Sequence, residues 1–321
     1  MVQPCIICGN STGNTGYTIE ELQLGTHEPF PYQLCGNCGT MQLLQVPADL
    51  GRYYPNEDYY SFNMELDVKS KQSTTDRIKT EYLLFGKHRL IGKLLSLGYK
   101  NETYDWARFT AARYDDAILD IGTGNGSLLS KLHKMGYRNL TGIDPFINES
   151  RDYGNVRVLK QNIFGVEQQY DVVMMHHALE HMTDPHAAVR KMYEILKPGG
   201  RALIRVPIMG NYGWQTYGTW WCGLDAPRHI FIPSEKGLKM LVTEAGFEVS
   251  RFYYDSYDYV IWCSEQYKRG IPLNAPNSQM VNPGKGIFTK KQLKEYRRIM
   301  TRENQKGNGD MAAIYLVKPK N

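Results

Sequence analysis

Residues 117–144, AILDIGTGNGSLLSKLHKMGYRNLTGID, constrain the fold more than any other stretch. A short apolar run, 117–119, ends on Asp120 and leads into the glycine turn Gly122-Thr123-Gly124-Asn125-Gly126. Leu128, Leu129, Leu132 and Met135 then recur at the spacing of one helical face. Gly136 stands where a helix C-cap glycine belongs. A second apolar run, 140–143, ends on Asp144. Strand, glycine turn, helix, strand, acid is half of a nucleotide-binding α/β unit. Gly122 and Gly124 carry no Cβ, so the backbone can turn sharply and a ligand can approach closely. Asp144, 24 residues after Asp120, is placed to accept hydrogen bonds from both hydroxyls of a ribose.

Dinucleotide sites read G-x-G-x-x-G, but here the third glycine position is Ser127 and the turn reads G-x-G-x-G. An acid beside the turn, Asp120, would repel a pyrophosphate and suits a ligand that carries an ammonium and a sulfonium. DIGTGNG followed by GID resembles the cofactor motif of class I S-adenosylmethionine-dependent methyltransferases. The alternative is a Rossmann-like domain for another nucleotide. LEHMTDP at 179–185 and LKPGG at 196–200, followed by an apolar strand, extend the resemblance over residues 117–207. It implies a Rossmann-like, seven-stranded α/β sheet, with the C-terminal run MAAIYLV, 311–317, as an antiparallel last strand. It implies cofactor contacts at Asp120, Gly122, Thr123, Gly124, Asn125, Asp144, Pro145, Asn162, Ile163, His176 and His177. Asn162 departs from the aspartate that many family members carry at that strand end.

Four of the six cysteines fall in the first 38 residues, as Cys5-x-x-Cys8-Gly and Cys35-x-x-Cys38-Gly, with 26 residues between the pairs. Two such knuckles supply four thiolates, the closed tetrahedral set of a structural zinc site. Two disulfides or a redox pair are the rival readings. Together the motifs divide the chain into a zinc ribbon at 1–45, a linker and capping helix at 46–115, and a methyltransferase domain at 116–321 with an insertion at about 255–310. Bacterial methyltransferases fronted by C-x-x-C pairs, sugar and surface-polysaccharide enzymes among them, resemble this arrangement and imply a small-molecule or glycan acceptor.

Residues 46–72 read as a linker that packs through its tyrosines or lines the substrate entrance. Residues 74–98 read as one helix capping the sheet, with Ile78, Tyr82, Phe85, Leu90, Ile91, Leu94 and Leu95 as a broken apolar stripe. Residues 208–233, rich in glycine and carrying Trp214, Trp220 and Trp221, read as a mobile lid over the acceptor. His229 lies in that loop as the candidate general base, with a loop-bracing role as the alternative. Arg228 beside it is placed to hold an anionic group of the acceptor. His181 and Glu180 read as structural.

A net charge of +5 is mild, and residues 1–45 contain no Lys or Arg, so the ribbon lacks the cations that grip phosphates. This disfavours a nucleic-acid adaptor, and the intact glycine turn disfavours a non-catalytic scaffold. No apolar run reaches membrane-spanning length and the first residues do not read as a signal peptide. The expected location is the cytoplasm, where thiols stay reduced.

Overall fold

The computed structural model describes residues 3–54, 66–68, 72–99, 102–284 and 286–320. The tyrosines expected to line an entrance at 59–60 lie outside these residues. At the N-terminal end, strands β1 (Thr15–Glu20), β2 (Pro29–Leu34) and β3 (Met41–Leu43) pair antiparallel. Both cysteine knuckles close in the same way. The Gly9 amide donates to the Cys5 carbonyl at 2.9 Å and the Gly39 amide to the Cys35 carbonyl at 3.0 Å. Both glycines are left-handed, at φ +67° and +73°, which is why glycine follows each pair.

Helices α1 (Thr74–Phe85), α2 (Arg89–Leu95) and α3 (Glu102–Phe109) precede the central strand β4 (Ala117–Ile121). Next come α4 (Ser127–Lys134), β5 (Asn139–Ile143), β6 (Arg151–Asp152), β7 (Val156–Leu159), β8 (Tyr170–His176), α5 (Pro185–Glu194) and β9 (Leu196–Pro207). The chain finishes with α6 (Tyr212–Tyr217), β10 (Phe231–Ile232), α7 (Glu235–Glu244), β11 (Glu248–Tyr254), α8 (Tyr259–Tyr267), α9 (Lys290–Gln305) and β12 (Met311–Val317). The main sheet runs β11-β12-β9-β8-β4-β5-β7-β6. Strands β4, β5, β7, β8 and β9 are parallel, and β12 pairs antiparallel with both β9 and β11, as the sequence implies. The eighth strand, β6, is a two-residue edge ribbon beyond the seven expected.

Side-chain alternation splits the core between the two faces of the sheet. Leu119, Val173 and Ile204 pack with Val189 of α5, Leu241 of α7 and the ribbon. Ile118, Met174 and Leu203 pack with Ala107 of α3 and Leu129 of α4.

Three expectations change. The helix read over 74–98 is two helices, because Gly86 ends α1 in the left-handed conformation. Only its first part approaches the sheet: Leu90, Ile91, Leu94 and Leu95 of α2 are exposed. The loop at 208–233 is a packed joint. Trp221 is buried and its indole N–H donates to Asp310 Oδ2 at 2.6 Å. A Cβ on Gly213 or Gly223 would lie 2.2 or 2.3 Å from the Trp221 ring, so these glycines admit the indole and do not serve as hinges. Trp214 packs edge-on against Tyr17 of the ribbon. The ribbon also borrows a strand, since β3 pairs with β10 from this loop.

Arg228 is the third correction. It is fully buried and its guanidinium is consumed by the protein. It donates to Glu21 of the ribbon at 3.0 Å, to Asp225 at 2.7 Å and to the Tyr53 carbonyl at 3.1 Å. A guanidinium so enclosed ties ribbon to loop and has no face left for an acceptor anion. Its removal leaves the buried Glu21 carboxylate and the largely enclosed Asp225 without their cation, the costly way to break a buried pair. Arg228→Ala is therefore expected to lower unfolding stability by about 3–5 kcal/mol in chemical denaturation. Glu21→Gln, which keeps the shape, is expected to cost less.

Candidate active site

The carboxyl edge of the parallel sheet gathers the predicted cofactor residues. Gly122, Gly124 and Gly126 all adopt positive φ, +73°, +54° and +82°. The turn is held by the Gly122 and Thr123 amides, which donate to the Ile143 carbonyl at 2.9 and 3.2 Å. Asp144 is buried, accepting from the Gly124 amide at 3.0 Å and the Phe146 amide at 2.8 Å. The acid at the end of β5 thus fixes the glycine turn at the end of β4. Each carboxylate oxygen retains a second acceptor site for a ribose hydroxyl. Asn125 is half-buried and caps Ser127. Pro145 is exposed beside Phe146.

Asp120 is buried, and its Oδ1 has no hydrogen-bond partner. Burial pushes its carboxyl up to about 7, with the neighbouring Asp144 charge acting in the same direction. An orphaned buried carboxylate beside a glycine turn fits a ligand that brings a cation. At the end of β7, Asn162 caps the following turn by accepting from Gly165 at 3.2 Å, and Ile163 is buried in the core. The exposed side chain here is Phe164.

His176 and His177 lie at the end of β8, on different partners. The His176 ring lies 4.4 Å from that of Trp106 of α3 at a tilt of 50°, and neither ring nitrogen has a hydrogen-bond partner. Burial holds its imidazole neutral, well below the usual range. Its cross-strand neighbour is Arg205 of β9. Arg205 is buried, donates to Asp255 at 2.7 Å and bonds the His177 imidazole. His177 has a left-handed backbone, φ +52°, a conformation that a side chain with a Cβ adopts only when its surroundings hold it. Its amide donates to the Arg205 carbonyl, and its Nδ1 faces Glu180 at 3.4 Å.

Glu180 is the centre that sequence reasoning passed over as structural. It is fully buried and neither oxygen is hydrogen-bonded. Burial alone would raise its pKa, but His177 beside it and the charges of His181, His177 and His229 outweigh that and hold the carboxyl at about 2. His229 Nδ1 lies 2.9 Å from the Gly223 carbonyl, which makes that nitrogen the N–H. Its Nε2 is then the lone-pair nitrogen, 4.0 Å from Glu180 and 3.8 Å from Asp225. His181 Nδ1 contacts the Arg228 carbonyl at 2.8 Å and the Tyr54 hydroxyl at 3.2 Å, and its ring meets His229 edge-on. His181 bridges loop and linker, a structural role as expected. Arg205 and Asp255 carried no local motif to mark them; their signal is positional, at the ends of β9 and β11.

In the ribbon, the four sulfurs converge, Cys5 to Cys38 at 3.5 Å and Cys8 to Cys35 at 3.6 Å. These separations exclude disulfide bonds as the structure stands, and suit four donors around one ion. The Cys38 amide points at Cys35 Sγ, at 3.5 Å. Among the described residues no helix is long and apolar enough to cross a membrane.

The state of Asp120 sets a pH dependence. Below about 7 its carboxyl is protonated in the free protein and offers a cationic ligand no charge; above that value it does. Affinity for S-adenosylhomocysteine, measured by calorimetry, is expected to rise with pH up to that value, by at most about tenfold per unit. Asp120→Asn is expected to flatten the rise.

Sequence comparison matches residues 97–251 to the family described as methyltransferase domain. The ubiquinone/menaquinone biosynthesis C-methyltransferase UbiE of Vibrio cholerae is 28% identical over 237 residues, covering 62% of this chain and 89% of that protein. The UbiE of Pasteurella multocida is 30% identical over 207 residues, covering 52% of this chain and 76% of that protein. Among solved structures, the cyclopropane synthase MmaA2 of Mycobacterium tuberculosis superposes with a TM-score of 0.45 at 15% identity, covering 76% of this chain and 93% of that one. With glycine turn, paired acids and strand order already in place, the chain belongs to the class I S-adenosylmethionine-dependent methyltransferases.

Proposed function

We propose that this methyltransferase acts in the cytoplasm on a sugar, nucleotide-linked or glycan-bound, and that His229 accepts the proton lost from the acceptor. The observation that carries the reading is the polarity of the acceptor end of the site. Glu180, His177, His181, His229 and Arg205 crowd there, donors and acceptors that suit a polyhydroxylated ring. The relatives named for quinone biosynthesis act on carbon, and a planar aromatic acceptor is the comparison compound for the test.

The donor methyl sits on a sulfonium and is already activated, so the protein's work is orientation and proton removal. Asp120 and Asp144 would hold the ammonium and ribose of the cofactor, and the residues ending β7 its adenine. Asn162, Ile163 and the exposed Phe164 are the candidates there. His229 fits the base role because its Nδ1–H is committed to Gly223, leaving Nε2 basic. Glu180, ionised and buried, stabilises the imidazolium once formed. We also propose one structural zinc on Cys5, Cys8, Cys35 and Cys38. With all four donors from protein, it would organise the ribbon and take no part in methyl transfer.

Two measurements test this reading. In an acceptor screen with labelled methyl donor, sugar nucleotides are expected to be methylated and quinone precursors not. With the acceptor found, His229→Ala is expected to lower turnover by about 10²–10⁴-fold while leaving S-adenosylhomocysteine affinity intact. A raised Michaelis constant at unchanged turnover would make His229 a brace. Elemental analysis of freshly purified protein is expected to find one zinc per chain. Cys38→Ser should then unfold the ribbon while cofactor affinity persists, because Asp120 and Asp144 lie outside it.

A further inference from the structure

The α2 side of the α1–α2 hairpin carries large apolar side chains exposed among the described residues. Leu90 is 90% exposed, Leu97 70%, Leu94 68% and Ile91 59%, and Phe85, Leu95 and Tyr99 are exposed as well. Isolated exposed leucines need no explanation, but here seven large apolar side chains fall within 15 residues. The hairpin itself is well formed. The Ser73 hydroxyl caps α1, and Gly92 of α2 sits so close to α1 that a Cβ there would lie 2.3 Å from Tyr82 Cβ. α2 therefore leans its glycine on α1 and turns its leucines outward.

The charges carried by α2 and the turn before it are of one sign, with Glu81 of α1 paired to His88 at 2.8 Å. Lys87, Arg89 and Lys93 are all exposed, and no Asp or Glu occurs between Glu81 and Glu102. A two-fold contact with a second copy would bring this basic surface against itself. An anionic bilayer satisfies both features at once: the leucines enter the acyl boundary while the cations meet lipid phosphates. The hairpin also leads directly into α3, whose Trp106 packs against His176 at the carboxyl edge of the sheet. We propose that the α2 face, Leu90, Ile91, Leu94 and Leu97 with Lys87, Arg89 and Lys93, docks the protein on an anionic membrane surface. Such docking would hold the active site near acceptors carried at the membrane.

The test is co-sedimentation of the full-length protein with vesicles. Binding to vesicles of phosphatidylcholine with 30% phosphatidylglycerol is expected, about tenfold or more weaker on phosphatidylcholine alone and weakened by added salt. Leu90→Glu with Leu94→Glu is expected to abolish binding without changing S-adenosylhomocysteine affinity, which shows that the fold survives. Lys87→Ser, Arg89→Ser and Lys93→Ser together are expected to remove the preference for the anionic lipid. Protein that stays in the supernatant with every vesicle overturns the proposal, as does a double glutamate variant that binds like the parent. A dimer in light scattering that the glutamates dissociate, with no vesicle binding, would give the face to a second copy and overturn it equally.

Discussion

The arrangement around His229, the proposed base, depends on one buried cation. Arg228 joins Glu21 in the turn after β1, the backbone of Tyr53 in the linker and Asp225 in the loop after β9. Its own carbonyl meets the imidazole of His181, and the next residue is His229. The Tyr32 hydroxyl of β2 donates to the His229 carbonyl at 2.9 Å, so the ribbon grips the candidate base from the other side. A buried ion pair is poor proof of added stability, because desolvation offsets much of the attraction. What such a cluster gives is a fixed geometry. Two buried charges, Glu21 of the ribbon and Arg228 of the loop, meet here together with a backbone carbonyl of the linker. The ribbon is then packed directly against the loop that carries His229, and the pairing of β3 with β10 makes the same statement in backbone hydrogen bonds.

The cofactor end rests on a different and more local device. Asp144 accepts from Gly124, so the acid that ends one strand shapes the glycine turn that ends its neighbour. Both residues lie in one βαβ unit, and their spacing is fixed by the helix between them. That is why this half of the site was legible: the βαβ unit that carries Asp120 and Asp144 follows from periodicity and local glycine chemistry, while the antiparallel last strand and the place of His176 came from the family resemblance. The cysteine knuckles were legible for the same reason, each being a turn complete within a few residues.

What the sequence concealed was long-range. Arg228 next to His229 looks like an anion clamp until the structure supplies Glu21, more than two hundred residues away, as its partner. Trp221 among glycines looks like an exposed platform until Asp310 and the close backbone of Gly213 and Gly223 enclose it. Glycine is required both where a chain bends and where it must approach a ring, and composition does not separate the two. In α2 the error ran the other way. An apolar stripe at helical spacing was read as core, yet periodicity reports only that a helix has an apolar side.

The chemistry of the acceptor end follows from how its charges are balanced. Glu180 is buried among three imidazoles with only His177 Nδ1, 3.4 Å away, as a neighbouring donor, an arrangement that costs free energy unless positive charge is near. If His229 takes a proton at Nε2, as proposed, the new cation faces Glu180 and Asp225, which stabilise it. The same argument explains the tie between His229 Nδ1 and Gly223. Without it the proton could sit on either nitrogen, and the lone pair would face the carboxylates only part of the time. A preset tautomer and a preset counter-charge both lower the reorganisation needed when the proton moves. His177, strained in its backbone and pinned between Arg205 and Glu180, carries this polar chain across to β9, where it adjoins His176 at the cofactor edge. The ends of β8 and β9 thus place a linked set, Glu180, His177, Arg205 and Asp255, beside His176, whose own ring nitrogens stay unpaired.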